Sequence, residues 1–468
     1  MKAEKPIIYL RRKFDSVLCA WKAREDRLPL IVKGARQVGK TECIRHFAEK
    51  HYENFVEINF VERPEFKVII RDGYSVESIV RNISVVDPSL SLAEEGTLVF
   101  FDEIQEFPEI CTAFKFFAQD GRYDVIASGS LLGVHYRRIE SVSVGYQETE
   151  VLRSMDFEEF LWAKGYKEDQ IEELYRKMKA VEPLSNTEMM VMSEVFKDYL
   201  IVGGMPAVVK RYLENGHFAG VLEMQRQLLR DYDEDITKYA EGLDKAKVRS
   251  VYNHIPVFLA QSNKKFQISK IARNARSREY IGTVEWLNDA GVVNICYCMG
   301  EPSLPLKGNY IYNNYKIYYH DTGLLIASLD EEAQLDLREN KNFNTYKGAI
   351  YENVVAEMLV KQGYQLYFYR NEKSTVEIDF FVRDANSLVP IEVKSQDGAT
   401  ASLNKVIEDQ MKYSDIKYGI KFCNRNIGFN GKFYTFPYFL AFLLKRFLAE
   451  KTMLLPGDML EGHFVRSH

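Results

Sequence analysis

Between residues 28 and 155, short apolar runs alternate with stretches that repeat an apolar position every three or four residues. LPLIVKG (28–34) leads to TECIRHFAEKH (41–51), NFVEINF (54–60), GTLVFFDEI (96–104), TAFKFFAQDG (112–121) and YDVIASGS (123–130). Strands that alternate with helices in this way predict a parallel sheet in an α/β unit. From about 156 to 254 the period is helical throughout, in DFEEFLWAKGY, EDQIEELYRKMKAVE, EVFKDYLIVGG and FAGVLEMQRQLLRDYDEDI. Next, ISKIARNARSREYIGTVEWLNDAGVVNICYCM (268–299) reads as two short helices and a strand, the order of a winged helix-turn-helix. After a polar linker at 330–347, GAIYENVVAEMLVKQG predicts a helix, and QLYFYRN, VEIDFFVRD and VPIEVKS predict strands. The expected divisions are 1–155, 156–254, 255–330, 345–436 and a terminal helix and tail at 437–468.

The chain has 468 residues, enough for several domains. No apolar run is long enough to span a bilayer and no signal peptide is visible, so a cytoplasmic location without membrane attachment is expected. Six scattered cysteines, of which only Cys296 and Cys298 are close, suit reduced thiols. The net charge of −5 argues against bulk attraction to a polyanion. Between 245 and 280, however, nine lysines and arginines meet Glu279 alone. Lys270, Arg273, Arg276 and Arg278 are therefore candidates for phosphate contacts to DNA.

Two stretches carry chemistry. Gly34, Ala35, Arg36, Gln37, Val38, Gly39, Lys40 and Thr41 fit G-x-x-x-x-G-K-[ST] between an apolar strand and a helix. In such a loop the backbone N–H groups face phosphates, the lysine reaches the β/γ-phosphates and the threonine hydroxyl joins a Mg²⁺ shell. ATP and Mg²⁺ are thus the expected ligands. Asp102 and Glu103 end the next apolar strand but one; Asp102 is assigned to magnesium and Glu103 to the attacking water. Ser128, with Ser130 as its neighbour, is a candidate to sense the γ-phosphate at the tip of the third strand. The second set is Glu352, Asp379, Glu392 and Lys394. Glu392 and Lys394 share one face of a strand, and two carboxylates with a lysine can hold Mg²⁺ and orient a water against a phosphodiester. Asp379 and Glu392 are the expected metal ligands and Glu352 an outer or second-metal carboxylate. The set is similar to the PD-(D/E)xK nuclease pattern. Binding of nucleic acid without cleavage, or docking of a protein partner, are its rivals.

GARQVGKT, LVFFDEIQE, ASGSLLG, MDFEEFL, GGMPAVV and KIYYHDTGLL together resemble prokaryotic AAA-superfamily P-loop ATPases with a DUF4143-type C-terminal region. The resemblance runs from about residue 10 to 435. It implies an ATPase core, a helical and winged-helix middle and a C-terminal region similar to restriction-endonuclease-like nucleases. Where members often read Gly-Arg, a candidate arginine finger, this chain has Gly145-Tyr146. Arg137, Arg138 and Arg153 are the substitutes, and whether the chain forms a homo-oligomer stays open. The function expected is a Mg²⁺-dependent ATPase coupled to nucleic-acid binding or cleavage; the alternative is a nucleotide-controlled switch whose C-terminal domain docks a partner.

Overall fold

The computed structural model describes residues 9–90, 92–130, 145–240, 243–259, 279–329, 332–339, 345–371, 375–394 and 397–453. Lys270, Arg273, Arg276 and Arg278, the first helix of the expected winged helix, and Arg137 and Arg138 lie outside them.

The first unit begins with α1 (Lys13–Lys22) and β1 (Leu30–Gly34), whose five residues are all buried. It continues through α2 (Lys40–His51), β2 (Asn54–Asn59), α3 (Val76–Val86), β3 (Thr97–Asp102), α4 (Phe114–Asp120), β4 (Asp124–Ser130) and β5 (Glu148–Val151). The strands form one sheet in the order β2-β3-β4-β1-β5, and every pairing is parallel. The continuous apolar runs of β1 and β3 follow from burial on both faces, as crossover helices require. β5 was not expected: ETEV carries no apolar run, because an edge strand is exposed along most of its length. The register sets the tips of β1, β3 and β4 side by side, with Gly34 opposite Ser130 and Phe101 opposite Ala127.

The helical middle is α5 (Phe157–Ala163), α6 (Glu168–Ala180), α7 (Asn186–Val202), α8 (Pro206–Asn215), α9 (Val221–Tyr239) and α10 (Lys245–Leu259). α11 (Ile281–Asp289) precedes β6 (Val293–Met299) and β7 (Tyr310–Tyr319), an antiparallel pair. Short α12 (Thr322–Ala327) and α13 (Ala333–Arg338) lead to α14 (Thr345–Lys361), β8 (Leu366–Arg370) and β9 (Glu377–Ile378). β6 also pairs in parallel with β8, Cys296 opposite Leu366 and Met299 opposite Tyr369. The β7-β6-β8-β9 sheet is therefore built from both sides of the polar linker. A second sheet, ordered β10-β11-β12-β14-β13, completes the C-terminal unit. It comprises β10 (Phe380–Arg383), β11 (Leu388–Val393), β12 (Gly419–Cys423), β13 (Gly428–Phe429) and β14 (Phe433–Pro437), with α15 (Ala401–Glu408) and α16 (Leu444–Met453).

One continuous apolar core runs from Leu10 to Leu448 and takes side chains from the first unit, the helical middle and both C-terminal sheets. A separate cluster, including Ile58, Phe101 and Phe114, fills the other face of the first sheet. No helix among the described residues is long and apolar enough to cross a membrane.

Candidate functional site

The loop after β1 turns through two left-handed residues, Gln37 (φ 62°) and Gly39 (φ 94°), before α2 begins. Gly34 has no room for a side chain, since a Cβ there would lie 2.3 Å from the Leu152 carbonyl oxygen. That carbonyl is close because Leu152 N–H donates to Lys33 O at 2.7 Å. Lys40 is buried and its Nζ donates to the carbonyl oxygens of Gly34 (3.1 Å) and Ala35 (2.9 Å). Burial pushes its ammonium down to about 8, although Glu103 and Asp102 favour the charge. Arg12, at the head of α1, fixes the loop from behind. It donates to Val38 O (2.9 Å), Arg153 O (2.7 Å) and the Glu159 carboxylate (3.0 Å). Nothing in the local sequence singles out Arg12, because its partners come from three distant segments.

Asp102 is the centre of the site. It is 1% exposed. Its Oδ2 accepts from the Thr41 hydroxyl at 3.0 Å and from Asn59 Nδ2 at 3.1 Å. Its Oδ1 accepts from the Glu103 N–H at 3.0 Å and from the Ser128 hydroxyl. Thr41 and Asp102, each assigned to magnesium from the sequence, are thus in direct contact. Ser128 does not face the cleft as the sequence reading required. It sits one strand over, fully buried against Asp102, because the register sets it beside that carboxylate. Glu103 adopts φ 56° and ψ 44°, a conformation that a β-carbon disfavours and that recurs at functional sites. Its carboxylate accepts from Gln105 Nε2, and Gln105 Oε1 accepts from Ser130 N–H at 3.1 Å. The side chains of Lys40, Thr41 and Glu103 border one cleft of about 870 Å³, closed on its far side by Pro206 and Lys210 of α8. Tyr9 stacks on His46 at its edge, ring centroids 3.6 Å apart. Arg153 lines a small internal cavity with Val38, Ser154 and His320, so it is turned toward the interior.

The second set gathers around Lys394, where, against burial, the charges of Glu392, Asp379 and Glu352 raise the ammonium. Asp379 lies one step beyond the Phe380–Ile391 pair, across from Glu392, and its Oδ2 accepts from the Val393 N–H at 2.8 Å. Glu392 Oε1 meets Lys394 Nζ at 2.5 Å, while its Oε2 is buried and makes no hydrogen bond. Burial raises the Glu392 carboxyl, with Lys394 opposing. Glu352, the fourth residue of the set, is also held from β7. Its Oε1 accepts from the Tyr318 hydroxyl and from Lys316 Nζ at 3.3 Å, and both side chains of the ion pair are almost wholly buried. Lys316 also reaches Glu377 at 3.2 Å. Burial alone would lower the Lys316 ammonium, yet Glu352, Glu377 and Asp379 together raise it. A tethered cation from β7 therefore serves the carboxylate assigned to a metal. Among the described residues, no group of three or more His, Cys, Asp and Glu side chains is set to hold a metal ion. Lys316 escaped the sequence reading because it lies on a strand whose pairing across the linker no pattern announces.

Residues 26–161 match the family described as AAA domain (AAA_14), and residues 347–439 match a domain of unknown function (DUF4143). The chain carries an AAA domain followed by a DUF4143 domain. Between them, residues 193–335 match a further domain of unknown function (DUF8612). Among solved structures, a Walker-type ATPase of Pyrococcus abyssi, PABY2304, is similar at 15% identity over 68% of this chain and 96% of its own, with a TM-score of 0.38. AMPPCP-bound DnaA from Aquifex aeolicus is similar at 12% identity over 59% and 87%, with a TM-score of 0.27. The Orc1 protein of Aeropyrum pernix in complex with DNA is similar at 11% over 71% and 91%, also at 0.27. No curated protein matches the chain.

The AAA domain and the DUF4143 domain meet at a buried polar junction made from the GGMP and YYHDTGLL stretches. Met155 N–H donates to Gly204 O and Gly204 N–H donates to Asp321 Oδ2, at 2.7 and 2.8 Å. The Met155 carbonyl accepts from Tyr199 OH (2.9 Å) and Lys361 Nζ (2.8 Å), and both also bond Glu357. Glu357 in turn accepts from the N–H (2.8 Å) and hydroxyl (2.6 Å) of Thr322. A Cβ on Gly203 would meet Asp321 Oδ1 at 2.1 Å, and one on Gly204 would meet Met155 O at 2.0 Å. Glycine is required at both places by contact.

Proposed function

We propose that the chain is a Mg²⁺-dependent ATPase, and that the nucleotide state of its AAA domain is passed through the Gly204–Asp321–Glu357 junction to the DUF4143 domain. The observation that carries the reading is the convergence of Thr41, Asn59, Ser128 and the Glu103 N–H on Asp102. Thr41 and Asp102 are the residues that would hold Mg²⁺, which offsets phosphate charge when bound. The loop N–H groups and the positive end of α2 hold the phosphates, and Lys40 exchanges its bonds to Gly34 O and Ala35 O for phosphate oxygens. Glu103 takes a proton from the water whose oxygen attacks the γ-phosphorus, while the bond to the bridging oxygen breaks and ADP leaves. Magnesium-dependent release of phosphate from ATP, compared among wild type, Lys40→Ala and Asp102→Asn, tests the reading; equal release by all three would refute it.

The switch reading is supported by the Lys316–Glu352 pair, which commits one oxygen of a carboxylate in the C-terminal set to a buried cation from β7. Metal-dependent phosphodiester cleavage is a second reading, favoured by the unbonded Glu392 Oε2 beside Lys394. In it Asp379 and Glu392 would hold the metal, Lys394 would stabilise developing charge, and Lys270, Arg273, Arg276 and Arg278 would contact DNA phosphates. Mn²⁺-dependent cleavage of single-stranded or duplex DNA, lost in Asp379→Ala, would establish it. Its absence, with ATP turnover intact, leaves the switch. Salt-sensitive DNA binding lost in Lys270→Glu with Arg273→Glu and Arg276→Glu tests the contact by itself.

A further inference from the structure

One face of α9 carries Asp231, Tyr232, Asp235, Lys238 and Tyr239, a spacing that lines up along a helix. The five divide between two segments that each contribute to the nucleotide cleft. The first three grip the phosphate loop. Gln37 Nε2 donates to Asp231 Oδ2 at 3.0 Å, Tyr232 OH donates to Arg36 O at 2.9 Å, and Arg36 Nη1 pairs with Asp235 Oδ1 at 2.8 Å. The last two grip the turn that carries Glu103. Lys238 Nζ and Tyr239 OH both reach Glu106 Oε1, at 2.6 and 2.8 Å. Glu106 closes the tight turn Ile104–Glu106 that begins directly after Glu103, and its N–H donates to Glu103 O at 3.0 Å.

We propose that α9 is a two-ended brace. Asp231, Tyr232 and Asp235, in the C-terminal half of the helix, set nucleotide affinity by holding the phosphate loop, and its last turn sets turnover by holding the Glu103 turn. Tyr232, Lys238 and Tyr239 are then positioning residues: they reach the nucleotide only through Arg36 and Glu106. Each grip can be loosened by itself, because the two sets of side-chain bonds share neither donors nor acceptors. Beyond the last turn of α9, Ala240 is buried in the main core and α9 packs on α10, so the same brace also ties the catalytic turn to the helical middle. The inference rests on the ATPase reading for its turnover half; its affinity half stands on binding alone.

Near-isosteric variants at the two grips test it. Equilibrium binding of ATP with Mg²⁺ is measured with Glu103→Gln as background, and kcat is measured without it. Tyr232→Phe removes one bond to the loop and is expected to weaken ATP binding about three- to tenfold with kcat at saturating ATP within twofold. Tyr239→Phe combined with Lys238→Met is expected to lower kcat about tenfold or more with binding within twofold, and Glu106→Gln to follow it. Lys238→Arg should restore turnover. Movement of both quantities by either end, or of neither by both, overturns the brace. A variant that fails to fold is replaced by Glu106→Gln at the turn or Asp231→Ala on the helix, which removes the bond to Gln37, with the same expected division. Absence of ATP hydrolysis in wild type refutes the ATPase reading and the turnover half together, and the affinity half is still decided by Tyr232→Phe.

Discussion

At the scale of single residues, the strongest consequence concerns Lys40. Its ammonium is held down to about 8 by burial, and phosphate oxygens in the same place favour the charged form. The bound value is therefore higher than the free one. Below about pH 8 the lysine is protonated with or without nucleotide, and affinity is flat with respect to this group. Above it, binding must take up a proton, so affinity falls as pH rises, approaching about tenfold per pH unit. Calorimetric titration of ATP at pH 7 and 9 in two buffers of different ionisation heat checks both the loss and the proton uptake. Ser128 gives a second test. Its hydroxyl is committed to Asp102, so Ser128→Ala should lower turnover by removing a bond to the carboxylate that would hold the metal, and should raise the Mg²⁺ needed for half-maximal rate. Unchanged Mg²⁺ dependence would place Ser128 outside the metal's support.

Among the elements, the apolar runs of β1 and β3 and the loop between β1 and α2 were legible because burial on both faces leaves an uninterrupted pattern. β5 was invisible, since an exposed edge strand needs no apolar residues. The same division holds in the site. Lys40, Thr41, Asp102 and Glu103 sit at fixed offsets from strand ends, whereas Arg12, Gln105 and the polar face of α9 act through partners far away in sequence. The GGMP stretch was recognisable as a motif, but its physical reason lies in contacts from Met155 and Asp321. Gly204→Ala should therefore destabilise by about 3 kcal/mol through overpacking of the junction. Gly282, in α11 with open space around it, is the matched control, and its change to Ala should be neutral or stabilising by about 1 kcal/mol. Chemical unfolding of both variants decides; equal midpoints would mean the junction yields.

Over the whole molecule, the expected divisions understate how far the parts are joined. β6 from one side of the polar linker and β8 from the other are neighbours in one sheet, and Lys316 and Glu352 form a buried pair across it. Pattern along a chain reports which face is buried but not which distant strand lies beside it. Lys316→Met should cost about 3–5 kcal/mol, because it breaks a buried ion pair by removing one partner. Glu352→Leu added to it should recover most of the loss. Chemical unfolding of the single and double variants decides; a single variant as stable as wild type would contradict the pair's place in the core.

The measurement that bears most directly on the ATPase reading compares Glu103→Gln with wild type for ATP binding and phosphate release in Mg²⁺. The expected result is binding within a fewfold of wild type with turnover lowered about a hundredfold or more, as befits loss of a group that acts on the water. Wild-type turnover in Glu103→Gln, or no Mg²⁺-dependent release by wild type itself, would contradict the account.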